Sequence, residues 1–224
     1  MSAASLIDTF GRLHDSLRIS VTDRCNIRCF YCMPEDVKFG PREEILSFEE
    51  IVRFVRIAAG LGVRKLRLTG GEPLLRKGLP DLVAQLHAVP GIDDIAMTTN
   101  GVTLKQHARD LYDAGLRRLN VHLDTLDRER FLKITRRDDL AKVLDGLAFA
   151  KELGFGPIKI NVVAVTNLIE PDAVRKAVAD SVPASFRDLN LKAFEKGFDY
   201  GLKLETLHLE TDTQTVFQAW QGPM

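Results

Sequence analysis

Two rhythms of hydrophobic and polar residues take turns along the chain. Leu17-Arg18-Ile19-Ser20-Val21 has the period of two expected of a strand with one buried face. Behind a polar stretch, Ile51, Phe54, Val55 and Ala58 recur at helical spacing. Ser47-Phe48-Glu49-Glu50 starts that helix: the Ser47 hydroxyl can accept from an early backbone N–H while Glu50 reaches back, and Gly60 and Gly62 mark the end. The succession then repeats. Strands are predicted at Val63 to Leu68, Ile95 to Thr99, Arg118 to Leu123 and Ile158 to Val165. Helices fall at Leu79 to Ala88, Leu104 to Ala114, a short stretch after the polar loop Asp124 to Asp127, Leu140 to Leu153, and Asp172 to Ala179. A weaker sixth strand lies at Leu202 to Leu209.

Short turns between alternating strands and helices imply parallel strands joined by right-handed crossovers. The expected fold is α/β, a partial TIM-like (β/α)6 barrel. A doubly wound open sheet is the alternative, which periodicity does not separate from it. In such barrels ligands lie at the C-terminal ends of the strands. Each unusual segment falls there: the loop Cys25 to Cys32 after the first strand, Gly70-Gly71-Glu72-Pro73 after the second, Thr98 to Gly101 after the third, and His122 to Asp124 after the fourth. They should converge on one mouth.

Composition narrows the class. The chain has 224 residues, 31 basic against 31 acidic side chains, and 45% hydrophobic residues, which suits one well-buried domain and excludes wholesale disorder. Zero net charge argues against a general nucleic-acid or membrane-surface binder and leaves room for a local basic pocket. No stretch approaches the ~20 apolar residues of a membrane span, and the N-terminus has no signal-peptide core, so the chain reads as soluble and cytoplasmic.

The three cysteines all lie within eight residues, as Cys25-x3-Cys29-x2-Cys32, and cannot all pair in disulfides. Soft sulfur ligands at this density select iron–sulfur clusters, copper(I) or zinc. Structural zinc takes four ligands and the chain has no fourth cysteine, whereas a [4Fe–4S] cluster with three protein ligands keeps one iron open for another molecule.

With the aromatic Tyr31 before Cys32, and Gly70-Gly71-Glu72-Pro73 after the second strand, the chain resembles the radical S-adenosylmethionine (SAM) enzymes. The resemblance implies a [4Fe–4S] cluster on Cys25, Cys29 and Cys32 whose open iron binds SAM. It also implies reductive cleavage of SAM to a 5′-deoxyadenosyl radical that abstracts hydrogen from a substrate. It places Tyr31 beside the adenine and gives Gly70, Gly71 and Glu72 the methionine end of SAM. Glycine allows close backbone approach, and a carboxylate offers acceptors to an ammonium.

A narrower resemblance runs from Asp8 to Val165. Asp8-Thr9-Phe10-Gly11-Arg12, Leu17 to Cys25, Cys32-Met33-Pro34, Leu66 to Pro73, Thr98-Thr99-Asn100-Gly101, Leu123 to Asp127, Ile134-Thr135-Arg136 and Gly154 to Asn161 are similar to the GTP 3′,8-cyclase family of molybdenum cofactor biosynthesis. This implies a radical SAM lyase that converts GTP to 3′,8-cyclo-7,8-dihydro-GTP. It carries over GTP contacts to Arg18, Arg67, Thr98 and Lys159, and no protein side chain becomes catalytic beyond the cluster and SAM. Three cations suit a triphosphate; each is also what a solvated strand-end residue would look like. His122 stands where the family has a SAM-contacting serine. Its imidazole can contact SAM, and a buried histidine satisfied by a neighbour is the other reading.

The family carries a second three-cysteine cluster site in a further C-terminal region, and this sequence has no cysteine after Cys32. The expected organisation is a radical SAM core barrel over 1–180 and a divergent barrel end over 181–224, with the family's C-terminal region absent. SAM cleavage should be intact, while GTP cyclisation is a separate question because the base-orienting site is missing. A short paralogue with another substrate, and a non-catalytic metal-binding barrel fragment, stay open. The expected partners are GTP or another small anionic substrate, an electron donor such as flavodoxin or ferredoxin, and a second copy of the chain in a homodimer; no nucleic acid or membrane is expected.

Overall fold

The computed structural model describes residues 6–163 and scattered positions between 172 and 199. The chain divides into two compact units, residues 1–162 and 163–224. In the first unit five strands alternate with helices: β1 (Ser16–Ser20), α1 (Phe48–Gly60), β2 (Lys65–Thr69), α2 (Leu79–His87), β3 (Asp94–Thr99), α3 (Leu104–Asp113), β4 (Arg118–His122), α4 (Arg128–Thr135), α5 (Leu140–Glu152) and β5 (Ile158–Asn161). All pairings are parallel and the spatial order is β1-β2-β3-β4-β5. A doubly wound sheet reverses its strand order at a switch point; this sheet never reverses, which is barrel winding. The expected strand at 202–209 lies outside the described residues. Of the helix expected at 172–179, the described positions 172, 175, 176 and 179 are helical.

Local chemistry sets the element ends. Glu50 N–H donates to the Ser47 hydroxyl at 3.2 Å and Ser47 N–H to Glu50 Oε2 at 2.7 Å, the reciprocal cap expected at the start of α1. Asp127 caps α4, accepting from Arg130 N–H at 2.8 Å. Alternation then gives the sheet two faces. Leu66, Leu68, Met97, Leu119 and Val121 are fully buried with Val55, Leu82, Leu86, Leu111 and Val143 of the helices. Each such side chain contributes about 1.5–3 kcal/mol by leaving water.

The opposite face is polar. It carries Arg18 and Ser20 on β1, Arg67 and Thr69 on β2, Thr98 on β3, Arg118, Asn120 and His122 on β4, and Lys159 and Asn161 on β5. Arg18 is in register with Arg67, Arg67 with Ala96, and Ala96 with Arg118. One layer nearer the C-terminal ends, Thr98 is in register with Asn120 and Asn120 with Lys159. No helix among the described residues is long and apolar enough to cross a membrane.

Candidate functional site

The cysteine loop is built by backbone pairing that continues past the ends of β1 and β2. Val21 N–H donates to Thr69 O at 2.9 Å, Gly71 N–H to Thr22 O at 2.7 Å and Glu72 N–H to Arg24 O at 2.6 Å. A Cβ on Gly70 would lie 2.5 Å from Thr22 O, and one on Gly71 2.3 Å from Arg24 O. The close approach that these glycines permit is therefore to the backbone of the cysteine loop itself, a constraint that the sequence reading placed at the ligand. On its other side the loop is tied to the end of α4, where Arg28 N–H donates to Thr135 O at 2.9 Å and Phe30 N–H to Ile134 O at 3.1 Å. That explains the Ile134-Thr135-Arg136 turn, whose Arg136 takes a left-handed φ of 56°.

The converging loops enclose a cavity of about 460 Å³. Cys25, Cys29, Cys32, Tyr31, Gly70, Gly71, Glu72, Thr98 and His122 all line it, so most of the residues chosen from sequence meet at one mouth. Arg18, Arg67 and Lys159 do not line it. Arg18 and Arg67 each lie two residues before a lining residue, Ser20 and Thr69, on the same strand face and so one layer deeper. Among the described residues these three cations make no hydrogen bond or ion pair, whereas Arg118, which the sequence reading passed over, is ion-paired with Asp94.

The three thiols are free; Cys29 is buried, Cys25 half-buried and Cys32 exposed. Burial pushes the Cys29 thiol up to about 12, and burial also raises Cys25. Among the described residues no three His, Cys, Asp or Glu side chains close on one point as they would around a single ion. A cubane spreads its thiolates over separate corners, so three sulfurs around one cavity fit a [4Fe–4S] cluster with an open corner better than they fit zinc. Capture of such a group releases the thiol protons.

Glu72 is 1% exposed and frames the cavity. Its Oε1 accepts from Thr99 Oγ1 at 2.6 Å and Leu74 N–H at 3.1 Å, and its Oε2 from Asn100 N–H at 2.7 Å. Burial raises its pKa, with the three hydrogen bonds pulling the other way. Among the described residues Oε2 has one protein donor in reach, which leaves a lone pair for a ligand.

Tyr31 and His122 meet at the rim. The Tyr31 hydroxyl donates to Asp124 Oδ2 at 2.5 Å and lies 2.6 Å from His122 Nε2, which is itself 3.0 Å from Asp124 Oδ2. Burial and the Asp124 carboxylate both raise the Tyr31 phenol. His122 thus combines both sequence readings: it lines the cavity and has neighbours that satisfy it.

Three polar residues of this region were missed as site residues. Asn100 contacts the Cys25 sulfur at 3.7 Å, Asp124 anchors Tyr31, and Asn120 is 4% exposed with an Nδ2 that finds no partner among the described residues. The signal for Asn120 was its two-residue spacing from His122, which puts both on one strand face.

A family model described as the radical SAM superfamily matches residues 19–176. GTP 3′,8-cyclase of Rhodopirellula baltica is 52% identical over 187 residues, covering 81% of this chain and 52% of that protein. GTP 3′,8-cyclase of Thermodesulfovibrio yellowstonii is 51% identical over 171 residues, covering 75% of this chain and 53% of that one. The chain spans about half the length of the curated relatives it matches. Among solved structures, Streptococcus suis SuiB bound to S-adenosylmethionine aligns with a TM-score of 0.60 at 19% identity, over 73% of this chain and 37% of SuiB. Histidine-tagged anSMEcpe with bound AdoMet aligns with a TM-score of 0.56 at 19% identity, over 79% of this chain and 48% of that one. At such identities the likeness is one of fold.

Proposed function

The chain belongs to the radical SAM superfamily, and on that premise we propose that it cleaves SAM at a [4Fe–4S] cluster held by Cys25, Cys29 and Cys32, and turns the resulting radical on GTP. The cofactors are those of the superfamily, a [4Fe–4S] cluster with three cysteine ligands and SAM. When bound, they supply a reductively generated radical able to abstract hydrogen. The observation that carries the reading is the convergence of all three cysteines, the Gly70 to Glu72 loop, Tyr31 and His122 on one cavity of about 460 Å³.

The chain's own residues do the positioning. Cys25, Cys29 and Cys32 hold the metal, and the loop to which they belong is fixed on both sides by backbone hydrogen bonds to 69–72 and 134–135. Glu72 accepts the ammonium of SAM on the free side of Oε2, Gly70 and Gly71 present backbone beside it, and Tyr31 and His122 flank the adenosine part.

GTP is the substrate favoured by the relatives named above and by the strand face below the cavity. Among the described residues Arg18, Arg67 and Lys159 are cations without a protein counter-charge and the Asn120 Nδ2 has no hydrogen-bond partner; Thr98 and Asn120 lie in register with each other, and Asn120 with Lys159. Together they offer charge-assisted donors to a triphosphate. The barrel core over 1–180 carries these groups, and a protein electron donor such as flavodoxin or ferredoxin supplies the reducing equivalent.

Anaerobic reconstitution tests the reading. About four irons per chain with labile sulfide, and 5′-deoxyadenosine formed from SAM with a chemical reductant, are expected. One zinc without sulfide, or a loaded cluster that yields no deoxyadenosine, would sink it. Adding GTP and analysing for the cyclised nucleotide then separates the cyclase from a SAM-cleaving enzyme with another substrate.

A further inference from the structure

We infer that Asn100 is a positioning residue that ties the cluster ligand Cys25 to the SAM-facing loop and tunes the cluster's reduction potential through an N–H···S hydrogen bond. The inference rests on the cluster assignment proposed above and goes beyond it. Asn100 follows β3 and is 7% exposed. Its Nδ2 donates to Asn26 Oδ1 at 2.7 Å and to Cys25 Sγ at 3.7 Å. Its Oδ1 accepts from Val102 N–H at 3.0 Å, and its backbone N–H donates to Glu72 Oε2 at 2.7 Å.

These bonds fix which way the carboxamide faces. Only the oxygen can accept from Val102 N–H, so the NH2 group must face Asn26 and the cysteine sulfur. The turn beneath it is rigid as well. Gly101 has a left-handed φ of 77°, and its N–H donates to Thr99 Oγ1 at 3.0 Å while that hydroxyl donates to Glu72 Oε1 at 2.6 Å. One short segment, 99–101, therefore holds both the carboxylate that faces SAM and the sulfur that holds iron.

A donor aimed at a thiolate stabilises negative charge on sulfur, and a reduced cluster carries more of it than an oxidised one. The Asn100 N–H therefore favours the reduced state and raises the potential, which eases electron transfer into the cluster. It also holds Cys25 in place before the cluster is assembled.

The test uses the full reconstituted chain with Asn100→Ser and Asn100→Asp. Both variants keep an oxygen for Val102 N–H and remove the carboxamide N–H: an ionised Asp has no donor, and the Ser hydroxyl sits one bond nearer the backbone than the Nδ2 that contacts the sulfur at 3.7 Å. An EPR-monitored redox titration should place both clusters at more negative potential than wild type, with an oxidised-to-reduced ratio at least tenfold higher at a fixed poise, 59 mV for one electron. A shift in Asn100→Asp alone reports the added charge and overturns the inference, as does an unshifted pair. Loss of iron from both variants, with the unfolding midpoint of the metal-free chain unchanged, supports the positioning of Cys25; loss accompanied by a lowered midpoint assigns Asn100 to folding and overturns it. A wild-type chain that holds no cluster would instead overturn the assignment of the cysteines.

Discussion

Gly71 packs against Arg24 so closely that a Cβ would stand 2.3 Å from the Arg24 carbonyl oxygen and 2.5 Å from its carbonyl carbon. These atoms are backbone and cannot swing aside. The loop after β2 and the cysteine loop are therefore one folded unit, and the cavity is the space that this unit leaves open.

Gly71→Ala should therefore separate the two loops. Forcing a methyl group into closely packed backbone costs about 1–3 kcal/mol, and both the 2.7 Å bond from Gly71 N–H to Thr22 O and the 2.6 Å bond from Glu72 N–H to Arg24 O must lengthen. Chemical unfolding of the metal-free chain should show the loss, and reconstituted iron content should fall. Unchanged stability and iron content would mean that the loops do not share this contact.

Glu72 predicts an unusual pH dependence. Its folded pKa is raised, chiefly by burial, from an ordinary value of 4.5. A carboxyl with a raised native pKa binds protons more tightly in the folded chain, so its contribution to stability is full below about pH 4.5 and is lost as pH rises through the native value. Unfolding free energies of the metal-free wild type, compared with those of Glu72→Gln at a series of pH values rising from the ordinary carboxyl value of 4.5, should show the wild type losing ground to the variant as pH increases. A flat difference would show that the carboxyl titrates normally.

Tyr31→Phe tests the rim. The phenol donates to Asp124 Oδ2 at 2.5 Å, and its removal takes one partner from that carboxylate while His122 Nε2, at 3.0 Å, stays beside it. Because Tyr31 is 38% exposed, the loss should be near the lower end for a hydrogen bond to a carboxylate, about 1.5 kcal/mol. SAM affinity, measured by calorimetry on the reconstituted chain, should survive in Tyr31→Phe, which keeps the ring, and fall in Tyr31→Ala. Equal loss in both would assign the binding to the hydroxyl.

Much of this arrangement was visible along the chain, for reasons of range. The reciprocal cap of Ser47 and Glu50 spans three residues, and the five strands of the described fold follow from period-two alternation, so both are local. The cysteine spacing is local too. What stayed hidden is long-range: Thr99 and Asn100 reach Glu72 across 27 and 28 positions, and Tyr31 reaches Asp124 across 93. The glycines were legible as a requirement for close approach, but only the folded backbone shows that Thr22 and Arg24 are what they approach. Arg118 looks from sequence like Arg18 and Arg67, and its pairing with Asp94 sets it apart.

That pairing makes the strand face testable residue by residue. Arg67→Met and Lys159→Met each remove a cation that has no protein partner among the described residues, so stability should change little while affinity for GTP falls about tenfold, as expected for the loss of one charge-assisted donor. Arg118→Met should do the reverse: it strands the Asp94 carboxylate, lowers the melting temperature and leaves nucleotide affinity nearly unchanged. Isothermal titration at two salt concentrations checks both, since the affinity of the first two variants should also depend less on salt. If Arg118→Met weakens GTP binding as much as the others do, the triphosphate lies against β4 rather than across β1, β2 and β5.

Asn120 should show the cost of keeping a binding group ready. Its Nδ2 is buried without a partner among the described residues, between Thr98 and Lys159 in the register of the sheet. Such a group carries a desolvation penalty of about 1–3 kcal/mol, which disappears when an apolar side chain of similar shape replaces it. Asn120→Leu should therefore make the metal-free chain more stable by roughly 1 kcal/mol and weaken GTP binding, so that the two effects move in opposite directions. This opposition separates a ligand donor from ordinary packing, because a residue that only fills the core would lose stability without touching affinity. A less stable Asn120→Leu with unchanged nucleotide affinity would show that the amide serves the fold.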